Sequence, residues 1–147
     1  MTDPIILLVE DSSSDEELTL RALKKSNVGN RVVVVRDGAE ALDYLFLQGA
    51  FADRDPHEVP QVVLLDLNLP KIDGLEVLRR IRADQRTKLL PVVILTSSRE
   101  DKDLLGGYAS GANSYVVKPV DFAQFANCVQ QLGMFWLLVN EPPPVTG

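Results

Sequence analysis

The feature that most constrains the fold is a series of five short aliphatic runs, each followed by a longer segment of mixed polarity. The runs are rich in β-branched residues and mostly continuous, whereas strands with one solvated face alternate polar and apolar residues. Continuous runs of this length are typical of strands that are covered on both faces of a sheet. The predicted strands are residues 5–9, 32–35, 62–65, 92–95 and 115–117.

The segments between the runs carry apolar residues at helical spacing, so the chain divides into five strand–helix units. The predicted helices are residues 15–26, 39–48, 75–83, 100–110 and 121 to about 139. Such alternation builds a parallel sheet through right-handed crossovers, with helices on both faces. We therefore predict an open, doubly wound α/β fold, and the length of 147 residues suits one domain.

Composition excludes several classes of function. The net charge is −6 and the basic residues are scattered, which argues against a nucleic-acid footprint. No apolar run approaches the roughly 18 residues of a transmembrane helix. The first residues lack the basic region of a signal peptide, so we expect a cytoplasmic protein. Because a nucleic-acid footprint is missing, we expect its partners to be proteins. The single cysteine, Cys128, has no internal disulfide partner and is assigned to the core or an interface.

Polar side chains follow four of the five predicted strands, at the point where each strand ends. Glu10 and Asp11 follow the first strand, whereas Asp66, Thr96 and Lys118 follow the third, fourth and fifth. Because the carboxyl ends of parallel strands share one edge of the sheet, where ligands bind, these side chains should converge. Each alone is compatible with a helix cap or a solvated group. Together, three acids, a hydroxyl and an ammonium at one edge indicate a functional site.

Three neighbouring carboxylates favour a bound cation, because they repel one another when ionised. Mg²⁺ takes oxygen ligands, usually one or two carboxylates with waters and a phosphate, and Glu10, Asp11 and Asp66 suit that arrangement. An aspartate beside Mg²⁺ and a lysine can also attack phosphorus, because the cations neutralise the incoming phosphoryl group. We therefore interpret Asp66 as a phosphoacceptor, with Thr96 and Lys118 as partners of the phosphoryl oxygens.

Four motifs in fixed order carry a resemblance to a known family: LLVEDS, LLDLNLPKIDG, VVILTSS and GANSYVVKP. They resemble the receiver domain of two-component response regulators, and we assign residues 1–132 to this domain. The resemblance implies a flavodoxin-like three-layer sandwich with the sheet order 2-1-3-4-5. It also implies that Asp66 receives its phosphoryl group from a phosphohistidine on a sensor histidine kinase. Such a protein catalyses its own phosphorylation and dephosphorylation and is not a turnover enzyme.

The resemblance also assigns individual roles within the site. Thr96 and Tyr115 would move together on phosphorylation, and the peptide bond between Lys118 and Pro119 would be cis. Pro70 and Gly74 match the loop after the acceptor. The implied ligands of Mg²⁺, or of Mn²⁺ in its place, are Asp11, Asp66, Glu10 in a supporting role, and the backbone carbonyl of Asn68.

Three features are individual to this chain. The segment at 49–60 is longer than a compact receiver needs. We predict that it forms a polar loop without periodicity, in which His57 is solvated. The predicted helix at 100–110 contains Gly106 and Gly107, which favours either a mobile element or close packing. We expect no output domain, because the last predicted helix runs on through the aromatic–aliphatic segment GMFWLLV at 133–139 and is followed by NEPPP. Stand-alone receivers of this kind look most like the response regulators that partner cyanobacterial phytochromes.

Three rival interpretations remain open at this point. An aspartyl phosphatase of the haloacid-dehalogenase type also uses Mg²⁺ and an aspartate after a strand, but it expects a second aspartate where this chain has Asn68. A flavin-binding module would wrap a phosphate in the serines at 12–14, but Glu10 and Asp11 would repel that phosphate. A docking module that is independent of phosphorylation would keep the fold without needing the five-residue site.

The extension at residues 133–147 predicts a homodimer. The predicted helix from 121 to 132 has one apolar stripe for the sheet. The next residues, MFWLLV at 134–139, are all apolar and would cover every side of a helix, so they cannot all face one sheet. We expect Phe135, Trp136 and Leu137 to anchor a two-fold contact, because exposed aromatic patches are typical of interfaces. The alternative is a tail that folds back over its own domain.

This dimer can be tested by removing its anchors. Truncation after Leu132, or the double substitution Phe135→Ala and Trp136→Ala, should yield monomers in light scattering. A full-length protein that is monomeric at high micromolar concentration would refute the dimer.

Overall fold

In the computed structural model, residues 5–25, 31–97 and 111–131 are described, and they form a five-stranded parallel sheet with helices on both faces. The strands are β1 (Ile5–Val9), β2 (Arg31–Val35), β3 (Pro60–Asp66), β4 (Val92–Thr96) and β5 (Ser114–Val117). The helices are α1 (Ser13–Lys25), α2 (Gly38–Phe46), α3 (Gly74–Ala83) and α4 (Phe122–Gln131). The sheet order is β2-β1-β3-β4-β5 and every neighbouring pair is parallel, so the predicted fold class and strand order are confirmed.

Two predictions fall outside the described residues. One is the helix at 100–110 with its Gly106–Gly107 pair. The other is the extension at 133–147 with the dimer contacts Phe135, Trp136 and Leu137. Among the helices that are described, none has both the length and the apolar character needed to cross a membrane.

The continuous apolar character of the strands follows from cores on both faces of the sheet. In β1, Ile6 and Leu8 belong to a cluster that includes buried residues of α1 and α4, such as Leu23. The alternate residues Leu7 and Val9 belong to a second cluster, which includes buried residues of α2 and α3. Because side chains alternate between the two faces of a strand, both sets must be apolar. The sheet therefore has an apolar core on each face, and its central strands β1, β3 and β4 are largely buried, whereas the edge strands β2 and β5 are partly exposed.

The loop after β3 passes very close to the end of that strand. The backbone N–H of Gly74 donates to the carbonyl oxygen of Leu67 at 3.0 Å. A Cβ atom at position 74 would lie 2.3 Å from the carbonyl oxygen of Asp66, so the turn requires glycine. Asp73 then caps α3 by accepting a hydrogen bond from the N–H of Glu76 at 2.9 Å. This tight return fixes the backbone on which Asp66 is presented.

The segment at 49–60 is more ordered than the sequence predicts. It begins with a 3-10 turn, Gly49–Phe51, and β3 already starts at Pro60. Phe51 packs edge-on against Tyr44, with ring centroids 5.1 Å apart. The Arg54 guanidinium lies over the Tyr44 ring, 4.2 Å from the ring centroid, and its Nη2 donates to the Tyr44 carbonyl at 2.8 Å. Aromatic packing and a guanidinium that satisfies backbone carbonyls therefore order a loop that has no periodicity.

His57, in the same segment, is solvated as predicted, since its side chain is 92% exposed. The ring nitrogen Nδ1 lies 3.2 Å from a carboxylate oxygen of Asp55. The nearby Asp55 carboxylate is therefore the partner that the structure gives this histidine.

We predict that Gly74→Ala lowers the free energy of unfolding by about 1–3 kcal/mol, because the added methyl group would displace the backbone at Asp66. Urea denaturation measures the change. Ser13→Ala is the matched control, because Ser13 is the exposed first residue of α1 and its change should stay within about 0.5 kcal/mol. Equal losses in both variants would contradict the close approach of the loop.

Candidate functional site

One ammonium group holds the carboxyl edge of the sheet together. Lys118 Nζ lies 2.8 Å from Asp66 Oδ2, 2.6 Å from Glu10 Oε1 and 3.0 Å from Asp15 Oδ2. The Glu10 side chain is fully buried, and those of Asp66 and Lys118 are nearly so. Three carboxylates therefore share one positive charge, and two of them lie in the protein interior.

The register of the sheet brings these groups together. Strand β1 lies between β2 and β3, and Val9 pairs with Leu65, so Glu10 and Asp66 follow at the same level of neighbouring strands. The N–H of Glu10 continues the ladder by donating to Val35 O at 3.0 Å. Asp66 Oδ1 accepts a hydrogen bond from the N–H of Asn68 at 3.0 Å. The backbone N–H of Asn68 therefore holds one oxygen of the Asp66 carboxylate, and the Lys118 ammonium holds the other.

Burial and ion pairing have opposite effects on the pKa values of Glu10 and Lys118. Burial raises the pKa of the Glu10 carboxyl well above its ordinary value, and the adjacent Asp66 carboxylate raises it further, while Lys118 opposes the rise. Burial alone would lower the pKa of Lys118, but the contacts with Asp66 and Glu10 outweigh it, and the pKa is raised. The lysine therefore stays charged, and burial makes the ionised form of Glu10 costly.

The acidic residues fit a divalent cation. Glu10, the exposed Asp11 and Asp66 each offer an oxygen, and these three atoms lie within 4.8 Å of one another. Glu10 Oε1 is buried and, within residues 5–25, 31–97 and 111–131, has no partner with hydrogen-bond geometry, although the Lys118 charge is close. An all-oxygen set of this kind suits a hard cation such as Mg²⁺ or Mn²⁺. The arrangement is consistent with the divalent-metal binding that the sequence predicts.

The remaining predicted residues lie in β4, in β5 or directly after β5. Thr96 is the buried last residue of β4, next to Leu95, which pairs with Asp66. Its carbonyl accepts a hydrogen bond from the N–H of Lys118 at 2.7 Å. The Lys118–Pro119 peptide bond is cis, as the resemblance implies. Tyr115 lies in the edge strand β5, where its side chain is exposed.

Asp15 is a site residue that the sequence analysis missed. It lies in the first turn of α1, and its Oδ2 accepts a hydrogen bond from Lys118 Nζ. In the sequence it is the first of three consecutive acids, Asp15 to Glu17, near the start of a helix, where acids interact favourably with the helix dipole. No local pattern links it to a lysine 103 positions further along the chain.

Comparison with known proteins identifies the family. Residues 6–130 match the model of the response regulator receiver domain. The chain belongs to the response regulator receiver family. The motifs at the carboxyl edge of the sheet lie within this match, and they are the ones on which the predicted family rests.

The relatives of this receiver include regulators from several organisms. FilR2, a probable methanogenesis regulatory protein of Methanothrix harundinacea, is 42% identical over 142 residues, 96% of this chain and 89% of FilR2. Response regulator Rcp1 of Synechocystis is 39% identical over 133 residues, 90% of this chain and 88% of Rcp1.

Solved structures extend the similarity. The bacteriophytochrome response regulator AtBRR is 54% identical, with a TM-score of 0.85 over 96% of this chain and all of AtBRR. The Mn²⁺-bound form of Rcp1 is 38% identical, with a TM-score of 0.75 over 91% of this chain and 94% of Rcp1. The receiver thus resembles stand-alone phytochrome response regulators, as predicted.

We predict that Lys118→Met is destabilising without metal and less so with it. Removing the ammonium leaves Glu10 and Asp66 buried without a positive partner, which should lower the free energy of unfolding by about 3 kcal/mol in EDTA. Saturating Mg²⁺ should recover part of this loss, because it neutralises the same carboxylates. Urea denaturation at neutral pH, with EDTA or with Mg²⁺, measures both values.

The control for this experiment is Lys71→Met. Lys71 is a surface lysine, 68% exposed, that pairs with Asp37. Its change should stay within about 0.5 kcal/mol and be independent of Mg²⁺. A Lys118→Met loss that is the same in EDTA and in Mg²⁺ would show that the cation does not compensate for the missing lysine charge.

Proposed function

We propose that this receiver accepts a phosphoryl group on Asp66 from a sensor histidine kinase and signals through protein–protein contacts. The observation that carries the proposal is the contact of 2.8 Å between Lys118 Nζ and Asp66 Oδ2 inside an acidic cluster. A buried aspartate beside an ammonium and two further carboxylates combines a nucleophile with the charges that phosphoryl transfer requires.

The residues of the chain have separable roles in this reaction. The Asp66 carboxylate attacks the phosphorus of a phosphohistidine, an O–P bond forms, the N–P bond breaks, and the imidazole leaves. The N–H of Asn68, 3.0 Å from Oδ1, holds the carboxylate in place. Lys118 neutralises charge on a phosphoryl oxygen, and Thr96 donates a hydrogen bond to another. The protein thereby catalyses its own modification and its reversal, without the turnover of an enzyme.

The implied cation has ligands in this site. Asp11, Asp66 and Glu10, together with the backbone carbonyl of Asn68, would hold Mg²⁺ or Mn²⁺. When bound, the cation supplies positive charge that neutralises the transferred phosphoryl group. The carboxylates would fix where that charge lies, and Asp11 is the exposed member of the set.

We propose a phytochrome-type photoreceptor kinase as the phosphoryl donor. The support is the 54% identity with AtBRR over its whole length. FilR2, at 42% identity, is named for methanogenesis, so the kinase is inferred from overall similarity and not from the residues of the site.

The rival interpretations gain no support from the site. The position two residues after Asp66, where a phosphatase of the haloacid-dehalogenase type would carry its acid, is Asn68, and its backbone N–H holds the Asp66 carboxylate. Ser12 and Ser14, which a flavin phosphate would need, contact each other through their hydroxyl groups at 3.1 Å. The buried Glu10 lies beside them and would repel a phosphate.

We also propose the homodimer that the extension at 133–147 predicts. Its support is the run of six consecutive apolar residues at 134–139, in which Phe135, Trp136 and Leu137 are the anchors. A self-complementary contact requires no second gene product.

We predict that Asp66→Asn abolishes phosphoryl uptake and leaves the fold intact, because an amide of nearly the same shape cannot attack phosphorus. The measurement is transfer of radiolabel from a panel of phosphorylated sensor kinases, with the wild-type receiver expected to be labelled fastest by a bacteriophytochrome kinase. Circular dichroism checks the fold.

Asp73→Asn is the matched control for this prediction. It changes an exposed aspartate in the same loop, and asparagine retains the helix cap. It should be labelled like the wild type. Wild-type labelling of Asp66→Asn would place the acceptor elsewhere, whereas faster labelling by another kinase class would refute only the phytochrome partner.

A further inference from the structure

The first turn of α1 departs from the usual capping arrangement. Ser12 precedes the helix, and its Oγ accepts a hydrogen bond from the N–H of Asp15 at 3.3 Å. In a capping box the acid three residues after the cap would accept in return from the N–H of the cap residue. Here that N–H donates to Glu10 Oε2 at 3.3 Å, and Asp15 contacts Lys118 instead. Glu10 thus accepts the hydrogen bond from the N–H of Ser12, and the Asp15 carboxylate is left to contact the Lys118 ammonium.

Asp15 also differs from the other two carboxylates that contact Lys118. Glu10 and Asp66 belong to the set of three acids whose oxygens lie within 4.8 Å of one another, and Asp15 does not. A bound cation would be coordinated by Glu10 and Asp66, and phosphoryl transfer would convert the Asp66 carboxylate into an aspartyl phosphate. Asp15 keeps its charge throughout, so it can hold the ammonium in every stage of the reaction.

We propose that Asp15 is a positioning residue that holds the Lys118 ammonium at the phosphoryl site. This inference rests on the proposed function. The carboxylate acts through Lys118 and does not touch the phosphoryl group. By limiting the rotamers of a long, flexible side chain, it increases the fraction of molecules in which Lys118 points at the acceptor.

The chain offers a matched control in Glu16. Both acids lie in the first turn of α1 and both favour the helix dipole. Glu16 is paired with Arg36, which lies outside the cluster around Lys118. A role of Asp15 in helix stability alone would therefore be shared by Glu16, whereas a role in positioning Lys118 would not.

The test compares Asp15→Asn, Asp15→Glu and Glu16→Gln in the full chain with Mg²⁺. Acetyl phosphate is the donor, so that altered kinase docking on α1 cannot mimic the effect. Asp15→Asn should lower the limiting rate of Asp66 phosphorylation about threefold to tenfold and leave the half-saturating donor concentration unchanged, because the pair is partly exposed. Asp15→Glu should recover part of the rate, and Glu16→Gln should match the wild type.

A second measurement does not depend on phosphorylation. ¹³C relaxation at the Lys118 Cε, assigned with Lys118→Arg, should show a more mobile side chain in Asp15→Asn and an unchanged one in Glu16→Gln. Equal Lys118 mobility in Asp15→Asn and the wild type would overturn the inference, as would an unchanged or raised limiting rate. An equal loss in Glu16→Gln would assign the effect to the helix. A wild-type chain that accepts no phosphoryl group on Asp66 either from acetyl phosphate or from the panel of sensor kinases would refute the proposed function instead, and the relaxation data would still decide the inference.

Discussion

The contact that the site depends on is the shared ammonium of Lys118. It is the positive charge that lies within 3.0 Å of Glu10, Asp15 and Asp66, and the first and last of these are buried. Among the residues that the structure describes, Asp11 and these three acids make four carboxylates around this one lysine, so the acids outnumber the positive charge. Desolvated like charges are unfavourable, so the free protein stores a repulsion that a divalent cation relieves. The proposed binding of a metal would thus be a consequence of how many carboxylates the fold places at one edge.

The sheet is what makes this repulsion tolerable. All five residues of β1 are buried, and the strand contributes alternate side chains to the cores on its two faces. Burial of this apolar surface stabilises the fold by far more than a few unfavourable carboxylates cost. It also makes the strand ends rigid, because neither face can move without opening a core. The tight return at Gly74 extends that rigidity to the loop beside Asp66.

The sequence is informative where a residue's role follows from its own strand and weak where the role depends on a distant partner. The strands were predictable because the pattern of apolar residues indicates which segments are buried in a sheet. The residues that end the strands were predictable because their position along the chain places them at the carboxyl edge. Asp15 was not, because its local context already explains an acid in the first turn of a helix, and its partner Lys118 is 103 positions away. The order at 49–60 was missed for a similar reason, since Arg54 reaches back to the carbonyl of Tyr44. The helix predicted at 100–110 and the extension beyond 132 lie outside what the structure describes.

The ordered segment at 49–60 lies far from the cluster around Lys118. The segment at 49–60 connects α2 to the start of β3, so it lies at the amino edge of the sheet, and Asp66 ends the same strand at the carboxyl edge. Strand β3 has seven residues, which separates the two edges by about 20 Å. Contacts made by the ordered loop around Arg54 therefore cannot touch the phosphoryl chemistry directly. A receiver built this way can acquire partners at its amino edge without altering the charges that react at the other.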